Sequence, residues 1–159
     1  MIGAVLALHR RRTRLDRAFS ATKSVVDVEQ QALLVQLLCI QVSGFIEQSI
    51  KDAFAEFART YSRPEIGQFA GVRLRRYRNF NSHRLITLVR EFSTPWGESF
   101  ETFLTDRLRN SIDSIYNIRN SISHGIDVGV GLVQMIEYYE DVSKVVGFVF
   151  DNMLGLVPH

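Results

Sequence analysis

The chain is nearly free of cysteine: Cys39 stands alone among 159 residues. That excludes an intramolecular disulfide framework and a cysteine-cluster zinc site, and it suits a reducing compartment, so a cytoplasmic location is expected. Three prolines and ten glycines are too few for a collagen-like or proline-rich segment, and they argue against a many-turned β-sandwich. No run reaches the roughly 18 apolar residues of a membrane span, so no membrane partner is expected. The apolar opening from Ile2 to Leu8 is short, and Arg10, Arg11, Arg12 and Arg14 come after it. A secretory signal has the opposite order. Also missing are the GxxxxGK phosphate loop, HExxH, CxxC and GxSxG, each of which carries its own chemistry. The four histidines, His9, His83, His124 and His159, fall at no metal-ligand spacing.

What is present is an ordinary globular mixture, 46% hydrophobic and 23% charged, in a length that fits one domain with a real core. Sixteen of the nineteen basic residues are arginine, the side chain whose planar fork suits phosphate. The net charge of +2 conceals an asymmetry. Residues 1–90 hold fifteen Lys/Arg against seven Asp/Glu, and residues 91–159 hold four against ten. An anionic ligand or head-to-tail charge pairing within an oligomer would each account for it.

Periodicity predicts helices throughout. The first, basic, runs over 3–21 with Leu8, Leu15 and Phe19 inward. Ser24 or Asp27 caps a long second helix reaching Tyr61. Its middle, Ala32 to Val42, has only Gln36 and Gln41 as polar members, so it must be covered nearly all round, by the bundle or by a second subunit. Cys39 there reads as a small buried hydrophobe. Residues 62–83 are interrupted by Pro64, Gly67 and Gly71 and carry the densest arginine. A weaker helix at 83–92, a turn at Ser93 to Gly97, a helix over 98–123 and a last helix over 128–153, with Leu132, Ile136, Tyr139, Val142, Val146, Val149 and Met153 inward, complete the chain. Glu137, Glu140 and Asp141 read as a solvated face. The expectation is an all-α bundle of four to five long helices, a core over about 25–155 with the basic helix 1–23 packed on it.

One stretch stands out, Arg119 to Gly125, an Arg-Asn-Ser-Ile-Ser-His-Gly run. On a wheel of roughly 100° per residue from Ile115, Leu108 falls at about +20°, Ile112 at about +60°, Ile122 at about −20° and Arg119 at about +40°. Arg119 is thus expected inside the apolar stripe, where a guanidinium is costly unless an anion or many acceptors meet it. Asn120 and His124 lie four apart on one face. An arginine can grip a phosphate bidentately and offset charge growing on its oxygens, and histidine is the side chain that moves protons near neutrality. RNA brings its own nucleophile in the 2′-OH.

The chain holds a second copy, Arg78 to His83, and chance alone gives about 0.4 Arg-x4-His matches in such a composition. Context separates them. Arg119 closes a long amphipathic helix, whereas Arg78 lies in the interrupted stretch and reads as part of a solvated basic loop. The arginines at 10–17 and Arg73, Arg75, Arg76 and Arg78, with Tyr77 and Phe80 beside them, either track an RNA backbone and stack a base or form a solvated face paired with the acidic half.

Arg119, Asn120 and His124 at the junction of the last two long helices resemble the R-x(4–6)-H motif of the HEPN domain family, and the segment Leu38 to Glu47 looks most like its RiboL-PSP-type subgroup. The resemblance implies an all-α, homodimeric, metal-independent endoribonuclease without cofactor, with the motifs of two subunits in one cleft. Arg119, Asn120 and His124 would be its catalytic residues and RNA its substrate. It further implies a toxin or phage-defence role with an antitoxin protein as partner. Two other readings stay open: a non-catalytic RNA- or nucleotide-binding protein of the same fold, and an interaction module such as the inactive half of a toxin–antitoxin pair.

Overall fold

The computed structural model describes residues 2–155 and, of Ile2 and Met153, only the backbone. Met153 as a core side chain, and His159, therefore lie outside what is described. The described residues form α1 (Ile2–Lys23), α2 (Val28–Tyr61), α3 (Pro64–Arg76), α4 (Ser82–Phe92), α5 (Thr94–Phe103), α6 (Asp106–Ser123), α7 (Leu132–Phe148) and a π-helical turn, Val149–Met153. The all-α expectation holds; the helix count is higher because the expected helix over 98–123 is divided and the stretch read as interrupted forms a helix of its own.

Local chemistry explains the divisions. Asp27 accepts from Gln30 N at 2.8 Å and starts α2, as expected. Pro64 sits in the first turn of α3, where its missing N–H costs nothing, so the stretch read as interrupted is a regular helix to Arg76. Asn81 caps α4 by accepting from Arg84 N at 2.9 Å. Pro95 likewise lies in the first turn of α5, and the expected turn at 93–97 shrinks to a one-residue junction at Ser93. The expected helix over 98–123 breaks at Leu104, after which Thr105 accepts from Leu108 N and starts α6. The apolar spacing of Phe100, Phe103, Leu104 and Leu108 ran across this cap and hid it.

Helix α2 is central, packing against α1, α3, α6 and α7. Cys39, Val42, Ile50, Ala53 and Phe54 are fully buried along it, each large side chain contributing about 1.5–3 kcal/mol of burial. By length and composition α2 is apolar enough to cross a bilayer, contrary to the reading of the sequence; in the fold that composition serves its contacts with four other helices. Cys39 Sγ lies 3.6 Å from the Ile115 carbonyl, and burial pushes its thiol up to about 12, as befits an inert core residue. Gly67 lets α3 approach α2 closely, since a Cβ there would fall 2.9 Å from Arg59 Cα. Helix α1 packs as expected, with Leu8, Leu15 and Phe19 buried, Arg11 paired with Asp52 and Glu56 accepting from Gly3 N and Ala4 N.

The hairpin of α6 and α7 is pinned by a carboxylate. Asp141, read from sequence as solvated, is 1% exposed. It accepts from Ser111 Oγ at 2.8 Å, Arg107 Nε at 2.9 Å and Lys144 Nζ at 3.1 Å. Burial alone would raise its pKa, but these three donors outweigh it and hold the carboxyl below its ordinary range. On α7 and the turn after it, the second half of the expected inward face is borne out, with Val142, Val146 and Val149 fully buried, whereas Leu132, Ile136 and Tyr139 are half-buried and Met135 and Val145 join the core.

Candidate functional site

Helix α6 ends in a Schellman motif. His124 is the cap residue, its N–H bonded to the carbonyls of Asn120 and Ser121 at 3.1 Å. Gly125 N donates to Ile122 O at 3.0 Å and Ile126 N to Ser121 O at 2.9 Å, with Gly125 at φ +70°. Only glycine holds that left-handed conformation without strain. Gly125→Ala should therefore cost about 1 kcal/mol and lower Tm by about 2–4 °C, measurable by calorimetry. A wild-type Tm would mean the turn tolerates a Cβ.

On this scaffold Arg119 and His124 are exposed and Asn120 half-buried. Arg119 Nη1 donates to Asn120 Oδ1 at 3.2 Å, and Ser123 Oγ donates to the Arg119 carbonyl at 2.9 Å. Among the described residues Arg119 forms no ion pair, and no hydrogen bond restrains the His124 ring. The expectation of Arg119 buried in the apolar stripe is corrected. A wheel gives azimuth and not reach: α2 covers α6 at Ile115, but Ile118 and Ile122, beyond it on the same stripe, are only half-buried. The charge is open to an incoming anion. Among the described residues no group of three His, Cys, Asp or Glu side chains converges to hold a metal ion.

The look-alike copy is built differently. Arg78 Nη1 donates to the carbonyls of Arg75 at 2.6 Å and Tyr77 at 3.1 Å, closing the end of α3. Asn79 takes a left-handed turn at φ 65°, and His83 lies in the first turn of α4. The two residues straddle a junction between helices, whereas Arg119 and His124 share the end of one. Ser82 donates through N–H and Oγ, both at 2.8 Å, to Asp113, which ties this junction to α6.

The basic stretches divide too. On α1, Arg11 is paired and Arg12 half-buried, while Arg10, Arg14 and Arg17 are exposed. Tyr77 and Phe80, read from sequence as stacking bases or lying on a solvated face, are corrected on both counts: both are buried. The Tyr77 hydroxyl donates to the Arg84 carbonyl at 2.8 Å, its ring lies under the Arg84 guanidinium, and burial pushes its phenol up. Arg73, Arg75 and Arg76 are exposed on α3, with no ion pair among the described residues. Arg75 lines a hollow between α2 and α3 together with Arg59, whereas Arg73 and Arg76 line a groove between α3 and α4.

A feature of α2 completes the picture. Leu33, Leu37 and Ile40, spaced i, i+4, i+7, are 67%, 48% and 42% exposed. Gln36, about 60° round the helix from Leu33, donates to Asp127 Oδ1 at 3.1 Å, which places the loop after His124 alongside this apolar face. Ile126 in that loop is exposed as well. The sequence signal was the all-round apolar character of α2; which side stays uncovered was not legible.

Compared with known families, the chain matches the RiboL-PSP-HEPN model over residues 9–153, a span that begins inside α1. Neither the curated proteins nor the solved structures give a match.

Proposed function

Since the chain belongs to the RiboL-PSP-HEPN family, we propose that it is a metal-independent endoribonuclease acting as a homodimer, in a toxin or phage-defence setting. The observation that carries this reading is the Arg119–His124 motif at the rigid, exposed end of α6, with an unpaired guanidinium and an unrestrained imidazole. In the reaction, Arg119 takes two oxygens of the scissile phosphate and offsets the charge that grows on them. Asn120 orients the guanidinium. His124 removes the proton from the 2′-OH; the 2′-oxygen bonds to phosphorus as the bond to the 5′-oxygen breaks. The departing 5′-oxygen takes a proton, and the partner subunit's copy of the motif supplies it. The products are a 2′,3′-cyclic phosphate and a 5′-hydroxyl.

The dimer reading draws on the uncovered face of α2. An apolar row at helical spacing beside the motif is where a second copy would cover surface that water otherwise meets. Arg73, Arg75 and Arg76 would hold RNA phosphates away from the cut, and affinity should then fall steeply with salt.

The experiment is purified protein with total RNA in EDTA, followed by end-group analysis. Cleavage that persists and leaves cyclic phosphate supports the reading. Loss of activity in EDTA, or a 3′-hydroxyl end, overturns the mechanism.

A further inference from the structure

We propose that the groove between α3 and α4 is a nucleotide subsite, taking one unpaired base of an RNA strand against Phe69 and the phosphates on either side on Arg73, Arg76 and Arg84. The inference rests on the RNA reading above for the identity of the polymer, and it adds a site away from the cleavage motif.

The groove holds about 380 Å³, within the range of sites that bind small organic molecules. One wall comes from α3, where Phe69, Arg73 and Arg76 are spaced i, i+4, i+7 and so share a face. The other comes from α4, where Arg84 and Glu91, seven apart, also share one. Phe69 is 69% exposed, an isolated aromatic face in water flanked by guanidinium groups. None of the three arginines forms an ion pair among the described residues, although acidic side chains are plentiful in the second half of the chain. Elsewhere the fold does pair its arginines, at Arg11–Asp52, Arg90–Glu101 and Arg107–Asp141.

The fold also holds this wall in place. Tyr77 is buried at the groove floor, its hydroxyl on the Arg84 carbonyl and its ring 4.8 Å from the Arg84 guanidinium carbon. Arg84 is therefore positioned without a carboxylate. A protein ligand for such a surface would bring acids to the arginines and an apolar side chain to Phe69. A nucleotide brings both in one unit, a flat base joined to phosphate at short range, which fits the short spacing of Phe69, Arg73 and Arg76. Glu91 accepts hydrogen bonds only; it meets the amino edge of a base and turns phosphate toward the arginine end. Base–aromatic stacking of this kind tolerates any sequence but requires an unpaired base.

The test uses the full chain and a fluorescent, fully 2′-O-methylated single strand of about ten nucleotides, which lacks the nucleophile and is not cut. Phe69→Ala should weaken binding about tenfold and leave the salt dependence unchanged, because no charge is lost. Phe69→Trp should restore affinity. Arg73→Gln with Arg76→Gln should weaken binding and lower the log–log salt slope by about 1.4. A duplex of the same length should bind wild type and Phe69→Ala alike. Wild-type affinity of Phe69→Ala for the single strand, or an equal loss on the duplex, overturns the subsite and leaves Phe69 and Ile66 as a surface for a protein. Phe69 and Ile66 are exposed, so the variants keep the fold. Failure of the EDTA assay would overturn the nuclease and leave this binding result standing; unchanged binding with intact cleavage would overturn the subsite alone.

Discussion

On the nuclease reading, Arg119→Ala and His124→Ala should each lower RNA cleavage by about 10³-fold or more while the protein stays helical and keeps its assembly state. In the proposed reaction the first would remove the phosphate ligand and the second the proton carrier. Both side chains are exposed, so neither truncation opens a cavity or strands a buried charge. The double variant should be little worse than either single one, because groups acting as a unit are non-additive. Arg78→Ala and His83→Ala should keep turnover. Arg78 closes the end of α3 through two carbonyls, so its loss costs local stability, and His83 stands at the opposite end of a different helix. The measurement is single-turnover cleavage of a defined RNA, with circular dichroism and sizing of every variant. Full activity of His124→Ala together with loss in His83→Ala would assign the chemistry to the other copy.

On the homodimer reading, Leu33→Glu combined with Leu37→Glu should give a monomer and reduce cleavage on the order of 100-fold or more, with Arg119 and His124 untouched. The magnitude follows from the mechanism. When the proton for the leaving 5′-oxygen comes from the partner, separating the subunits removes one acid–base contribution, about 10²–10⁴ in rate. Two carboxylates on each facing row would also meet their own kind across a two-fold axis, a repulsion that an apolar interface cannot solvate. In the single chain both positions are largely exposed, so the helical content should be unchanged. Light scattering against cleavage rate decides the matter. A monomer that cuts at the wild-type rate would show that one subunit suffices, and a dimer that persists would place the interface elsewhere.

Two helix ends were legible, because the groups that cap a helix sit within a few residues of the backbone they satisfy. Asp27 before α2 and Gly125 after α6 each act on their own neighbours. Thr105 before α6 escaped because it lay inside an apolar pattern that continued across it. The starts of α3 and α5 escaped because Pro64 and Pro95 read as breaks where they stand in a first helical turn. The candidate site was readable for the same local reason. Arg119, Asn120 and His124 span six residues at one helix end, so their company did not depend on the rest of the fold.

Burial was another matter. The wheel placed Arg119 on the apolar azimuth of α6, and its position on the chain is consistent with that; only packing decided that the cover ends near Ile115 and leaves the guanidinium in water. Tyr77 and Asp141 went the other way, drawn inside because Arg84 supplied a carbonyl and Arg107, Ser111 and Lys144 supplied donors, none of them adjacent in sequence to both partners. The bare row of Leu33, Leu37 and Ile40 is likewise a product of where α1, α6 and α7 lie on α2. Sequence by itself determined the helical class, the cap of α2 and the company of Arg119, Asn120 and His124 at one helix end, since these follow from spacing along one chain. Which faces those helices cover, and hence which charges meet water and which aromatic stands free, was decided by tertiary structure, because burial depends on neighbours that the linear order does not name.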